Sequence, residues 1–166
     1  MAQIEIQPLT AASVPAAAAF YSARMDDTFS QTFPPAAIVK YRENFNLERL
    51  TAYVTAGDRE LLAARVDEQI AGIMFGSPLN GGVASVVWMA VSPQFRGHGI
   101  GRQLMEETFR RYRQRGAHKV VLYTETDSGK AFYEAVGMTL EGTHPQHWWG
   151  LKHYCLGRIL ESSAGA

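Results

Sequence analysis

Cysteine is almost missing from this chain of 166 residues, where Cys155 stands alone. One thiol excludes an intramolecular disulfide framework and any zinc site built only from cysteines. Net charge is missing as well, because 16 basic residues balance 16 acidic ones. A neutral chain disfavours nucleic-acid binding, which calls for a basic face. Long apolar runs are absent. The most apolar-looking early tract, residues 11–20, is interrupted by Pro15 and falls well short of the roughly 20 residues that a membrane span requires. Met1–Leu9 has no charged stretch followed by an apolar core, so no secretory leader is expected there. Internal repeats and low-complexity linkers are also lacking. The expectation is a cytoplasmic chain with neither a nucleic-acid nor a membrane partner.

What remains has an ordinary globular balance, 46% hydrophobic and 19% charged. The length suits one domain, residues 1–166, and a chain of this size buries roughly 70% of its unfolded surface without a staple. Charge is unevenly spread: residues 96–115 carry six arginines against two glutamates, the one cationic block.

Periodicity supplies the elements. Ile4–Leu9 begins as an alternating strand. Ser13 is placed to cap a helix with Pro15 in its first turn, running to about Met25. Pro34 and Pro35 open a second helix toward Phe45, with Ile38, Tyr41 and Phe45 on one stripe. Leu61–Val66 and Ile70–Gly76 are strands joined through Asp67-Glu68-Gln69, and Asn80-Gly81-Gly82 is a stronger hairpin signal. Val83–Val91 is nearly all apolar, which suits a central strand covered on both faces. Ile100–Arg115 is an amphipathic helix with Ile100, Leu104, Met105, Phe109 and Tyr112 inward, closed by Gly116. Lys119–Tyr123 is a strand. Ser128 is placed to cap a short helix ending at Gly137. Two strands close the chain between Thr139 and Leu160, and adjacent Trp148 and Trp149 on a strand would face opposite ways. The order β, α, α, β, β, β, α, β, α, β, β describes an α/β (α+β) fold with a mixed, mostly antiparallel sheet flanked by helices.

The chemistry concentrates at Val91-Ser92-Pro93-Gln94-Phe95-Arg96-Gly97-His98-Gly99-Ile100-Gly101, between an apolar strand and a helix. Alternating glycines let backbone N–H groups converge, and the helix start adds unsatisfied donors and the positive end of its dipole. That combination suits a phosphate-like anion. The segment lacks the lysine of a P-loop and the spacing of a dinucleotide fingerprint.

Gln94-Phe95-Arg96-Gly97-His98-Gly99 resembles the Gln/Arg-x-x-Gly-x-Gly/Ala acetyl-CoA signature of the GNAT family of N-acetyltransferases. Met89-Ala90-Val91-Ser92-Pro93 resembles the strand end that precedes it, and Ala131-Phe132-Tyr133-Glu134-Ala135-Val136-Gly137-Met138 the family's Phe-Tyr-Glu-x-x-Gly-Phe. The likeness covers residues 85–141 and implies an acetyl-CoA-dependent acyltransferase acting on a primary amine without an acyl-enzyme. By that resemblance the amides of Arg96, Gly97, His98, Gly99, Ile100 and Gly101 hold the CoA pyrophosphate, with Arg102 a further cation. Met89 and Val91 pair with pantetheine as an added strand would. Tyr133 is the implied general acid for the departing thiolate.

The general base is where the chain departs from the family, since Ser85–Val91 contains no carboxylate. Glu125 and Asp127 are the nearest candidates. For the acceptor, the resemblance nominates Tyr21, Asp26, Asp27, Phe29, Tyr123, Trp148 and Trp149. A small-molecule amine is the expected acceptor. The alternatives are a peptide N-terminus or lysine, and a non-catalytic acyl-CoA sensor. No metal is expected at His144, His147 and His153, whose spacing fits no zinc helix. Cys155 has no legible partner for nucleophilic work. The apolar, aromatic C-terminal segment makes a homodimer plausible.

Overall fold

The computed structural model describes residues 3–161; residues 1–2 and 162–166, the ends of the expected domain span, lie outside the described residues. Seven strands form one sheet, β1 (Ile4–Pro8), β2 (Leu61–Val66), β3 (Gln69–Gly76), β4 (Val83–Val91), β5 (Lys119–Thr124), β6 (Thr139–His144) and β7 (His153–Ile159), in the order β1-β2-β3-β4-β5-β7-β6. All neighbours run antiparallel except β4 and β5, which are parallel. The mixed, mostly antiparallel architecture expected from the periodicity is therefore present.

Five α-helices accompany it: α1 (Val14–Asp27), α2 (Pro35–Asn44), α3 (Leu47–Ala56), α4 (Ile100–Gln114) and α5 (Asp127–Ala135). Helix α3 is absent from the order expected above. Its signals are local and legible: Asn46 caps it by accepting from the Arg49 N–H at 2.9 Å, and Gly57 ends it at φ 64°. Two expected caps are corrected. Ser13 makes no cap bond to α1 and instead exchanges hydrogen bonds with the Thr10 backbone. Thr126, not Ser128, caps α5 by accepting from the Gly129 N–H.

The helices build two cores on opposite faces of the sheet. On one face α4 and α5 cover Leu62, Met74, Leu122 and Leu156 with the expected stripe Ile100, Leu104, Met105, Phe109 and Tyr112. On the other, α1–α3 bury Phe20, Tyr21, Met25 and Leu50 against Ile73, Phe75 and Trp88. A buried carboxylate, Glu60, ties the far end of α4 to the α3–β2 junction through Arg111 and Arg115. Burial works against ionisation of Glu60, but the two guanidinium hydrogen bonds outweigh it and hold its pKa below the usual value.

Strand β4 is covered on both faces, as expected: Ala84 and Val86 join the α4 core with Met89 and Val91 packed against it, and Trp88 and Ala90 join the α1–α3 core. Its residues alternate, with Ala84, Val86, Trp88 and Ala90 buried and Val87 53% exposed. The strand changes face at a β-bulge, where Gly76 pairs with Val86 and Phe75 with Trp88, leaving Val87 unmatched.

Candidate active site

The bulge opens the site. Pairing of β4 with β5 stops at Val86↔Leu122, so residues 87–91 and the end of β5 diverge. The Ser92 N–H donates to the Ala71 carbonyl. By the alternation of an antiparallel ladder, Ala90 and Trp88 then direct their polar groups to β3, whereas Met89 and Val91 direct theirs into the gap. This is the edge at which an amide-bearing chain could add as a strand. One of its acceptors is already engaged, because Arg96 Nε donates to the Val91 carbonyl at 3.3 Å.

The glycine segment lies at the mouth of that gap. After a single 3-10 turn at Pro93–Phe95, Gly97 and Gly99 adopt φ 80° and 78°, and a Cβ at either would meet nothing within 4 Å. These conformations turn the chain so that α4 begins at Ile100 with Gly99 as its N-cap. Arg96 N–H is spent on the Pro93 carbonyl. The next five amides, Gly97 to Gly101, donate to no backbone acceptor among the described residues. Together with the dipole of a 15-residue helix they make a cradle of the kind that suits an anion. Gly101 has a different task. A Cβ there would sit 3.0 Å from Phe132 Cζ, so its absence lets the first turn of α4 abut α5.

The two arginines expected to add cationic reach are partly held by the fold. Arg96 Nη2 reaches Thr28 Oγ1 at 3.2 Å, tying the loop to the end of α1, and Arg102 Nη2 donates to the Ala135 carbonyl at 3.1 Å. The His98 ring folds back on the Phe95 and Arg96 carbonyls.

Tyr133 is half-buried on α5, edge-on to Phe132. Burial, reinforced by the negative charge of Glu125, raises its phenol pKa above the ordinary value, so the hydroxyl keeps its proton. Glu125 follows β5 and is half-buried with no salt bridge among the described residues. Burial alone pushes its carboxyl pKa up. The structure thus separates the two carboxylates that the sequence left level. Asp127 is exposed, accepts from Tyr154 Oη at 2.5 Å and lies 3.9 Å from Lys152, and its pKa is lowered by those partners. Asp127 is a fastened surface group; Glu125 is the unpartnered one.

On the acceptor side, Asp26 and Asp27 are not free for an incoming ammonium. Arg42 pairs with Asp26, and Arg24 grips Asp27 with bonds of 2.5 and 3.0 Å. Phe29 packs on Trp88 and Phe33. Tyr21 is 2% exposed and donates to the Tyr41 carbonyl at 2.8 Å, a packing role. Trp148 and Trp149 lie not on a strand but in a 3-10 turn, Trp148–Gly150, between β6 and β7. Gln146 and Trp149 there hold φ 48° and 63°, a conformation costly for side-chain-bearing residues. Trp148 packs against Tyr123 at 5.0 Å between ring centres.

Two features escape the sequence. Trp149 Nε1 donates to Tyr41 Oη at 3.1 Å, joining the β6–β7 turn to α2 across 108 residues of chain. Burial, with the negative charge of Glu125 behind it, also raises the Tyr41 phenol pKa. Nothing in a helix stripe distinguishes Tyr41 from a core residue. His144, His147 and His153 stack against Tyr123 and Trp148 as rings, and no metal-holding group of three or more ligands occurs among the described residues.

No helix among the described residues is long and apolar enough to cross a membrane. Known proteins share this fold. An N-acetyltransferase, PaiA, from Thermoplasma acidophilum in complex with coenzyme A superimposes with a TM-score of 0.80 at 18% identity, covering 95% of this chain and 99% of that one. A ribosomal-protein-alanine N-acetyltransferase from Brucella melitensis does so at 0.76 and 22% identity, covering 94% and 99%. In sequence, the chain is 32% identical over 71 residues to an uncharacterized ycf52-like N-acetyltransferase of Prochlorococcus marinus. That match takes in 40% of this chain and spans only 38% of the relative's length. The profile of the Acetyltransferase (GNAT) family matches residues 17–138, from α1 through the cradle to the end of the tyrosine helix. With most of its length inside that match, and the bulged strand and glycine cradle in place, the chain belongs to the GNAT acetyltransferase family.

Proposed function

We propose that the chain works as one acetyltransferase domain that moves acetyl from acetyl-CoA directly to the primary amine of a small molecule. The observation that carries this reading is the run of unpartnered amides from Gly97 to Gly101, opening α4 beside the free edge of β4. The cradle fits a pyrophosphate and the edge, at Met89 and Val91, fits the amides of pantetheine. The complex of the Thermoplasma relative with coenzyme A supports the same assignment.

When bound, acetyl-CoA supplies an activated thioester. Glu125 takes a proton from the substrate ammonium, directly or through a water. The freed amine nitrogen forms a bond to the acetyl carbonyl carbon while the C–S bond breaks. Tyr133 gives its proton to the departing sulfur and recovers one from the new amide nitrogen. The balance is one amide, one thiol and one proton passed by Glu125 to solvent. The raised Glu125 pKa suits a base poised nearer neutrality, whereas burial keeps the Tyr133 phenol protonated and at the same time makes it a weaker acid. The Trp149–Tyr41 bond, which ties the β6–β7 turn to α2, favours a small acceptor over a protein tail.

Calorimetric titration with acetyl-CoA, with ATP and NADH as controls, tests the reading. Selective saturable binding, weakened at least tenfold by Gly99→Val, is expected. A well-folded protein that ignores acetyl-CoA refutes it. Release of CoA with peptides but with no small amine would move the acceptor to the protein class.

A further inference from the structure

Resting on the reading above, we propose that Thr28 and Asp27, at the end of α1, are positioning residues for the cofactor. They seat the Arg96 guanidinium beside the free edge of β4, so that the pyrophosphate meets a cation already in place. Arg96 directly precedes the run of unpartnered amides from Gly97 to Gly101. A long cationic side chain on an exposed loop has many rotamers, and fixing them on binding costs affinity. Here the fold does the fixing. Arg96 Nε donates to the Val91 carbonyl at 3.3 Å, and Nη2 donates to Thr28 Oγ1 at 3.2 Å.

The other bond of the Thr28 hydroxyl sets its direction. Thr28 Oγ1 donates its only hydrogen to Asp27 Oδ1 at 2.7 Å, so toward Arg96 it acts solely as an acceptor. Asp27 is in turn gripped by Arg24, whose Nε and Nη2 reach the two carboxylate oxygens at 3.0 and 2.5 Å. The Arg24 side chain is 11% exposed and lies over the Phe20 ring at 4.9 Å, which anchors the chain of bonds in the α1–α3 core. Charges alternate along it, positive at Arg24, negative at Asp27, positive at Arg96. The Asp27 carboxyl accordingly stays below its usual pKa, first through the Arg24 hydrogen bond and with the Arg96 charge contributing. The seat leaves the guanidinium free to act. Two of its five N–H groups are used, and three have no partner among the described residues. A planar fork of that kind suits phosphate oxygens. The Val91 carbonyl also keeps a second lone pair for a pantetheine amide. Asp27, expected on the acceptor side, serves the acetyl donor instead.

Calorimetric titration of acetyl-CoA into the parent, Thr28→Val, Arg96→Met and the double variant tests this. Thr28→Val keeps the shape and removes the accepting oxygen, and it should raise Kd about fivefold; Arg96→Met should raise it at least as much. In the Arg96→Met background Thr28→Val should add nothing, because the hydroxyl acts only through the guanidinium. Thr28→Ser, which keeps the hydroxyl, should bind as the parent does. If Thr28→Val does not fold, Asp27→Asn, which keeps the shape and loses the charge, runs the same cycle with the same expected loss. An unchanged Kd in Thr28→Val, an additive loss in the double variant, or a serine variant as weak as the valine one would overturn the proposal. A parent protein that does not bind acetyl-CoA would instead overturn the underlying acetyltransferase reading.

Discussion

Replacing Glu125 with glutamine should make the protein both slower and more stable. Glu125 is half-buried, has no cationic partner among the described residues, and has its pKa raised by burial. Its charged form is therefore disfavoured in the folded state, by roughly 1–2 kcal/mol for a partly buried group. A raised folded pKa contributes stability only at acid pH, and that contribution is lost as pH rises through the folded value. Glutamine is neutral throughout and keeps the shape. The Glu125→Gln variant should therefore match the parent at low pH and exceed it near neutrality, with a Tm higher by about 3–6 °C for a chain of this length. Activity moves the other way. Loss of a general base costs on the order of 100-fold or more in kcat. In the parent, kcat/KM should fall as pH drops through the raised Glu125 pKa, and this limb should vanish in the variant. Differential scanning calorimetry from acid to neutral pH and initial rates across the same range measure both. A variant that is less stable at neutral pH, or one that keeps its rate and its acidic limb, would refute the reasoning.

Tyr133→Phe should lower kcat by about 100-fold while acetyl-CoA affinity changes little, because the lost hydroxyl donates a proton and does not form the cradle; single-turnover rates set beside calorimetric Kd values check this. Glu60→Ala should cost about 2 kcal/mol, below the range for breaking a fully buried pair because Arg111 and Arg115 are 27% and 33% exposed and can rehydrate. Urea unfolding measures that loss. Since the Glu60 pKa is lowered in the fold, its stabilisation is complete above the unfolded value and fades as pH falls through the folded one, so the deficit of the variant should shrink toward strong acid.

Local chemistry was legible in the linear chain wherever a residue's task depends on its neighbours in sequence. The glycines at 97 and 99 marked a segment where backbone N–H groups converge at a helix start, and φ 80° and 78° are the turns that allow it. The stripe from Ile100 to Tyr112 predicted which face of α4 is buried, because a 3.6-residue period is a property of the helix itself. Helix α3 was missed, although its cap signals, Asn46 and Gly57, are local to it. Other features belong to the tertiary structure alone. The bulge at Val87 exists only as a mismatch between two strands. The difference between Glu125 and Asp127 is a difference of surroundings: one carboxylate lies half-buried and unpaired, the other exposed beside Tyr154 and Lys152. The pairing of Asp26 with Arg42, and of Tyr41 with Trp149, joins positions far apart in the chain. Periodicity and composition determine how a segment folds and which way it faces. Which charges are neutralised and which rings meet depends on long-range packing, because it joins groups that no local period relates.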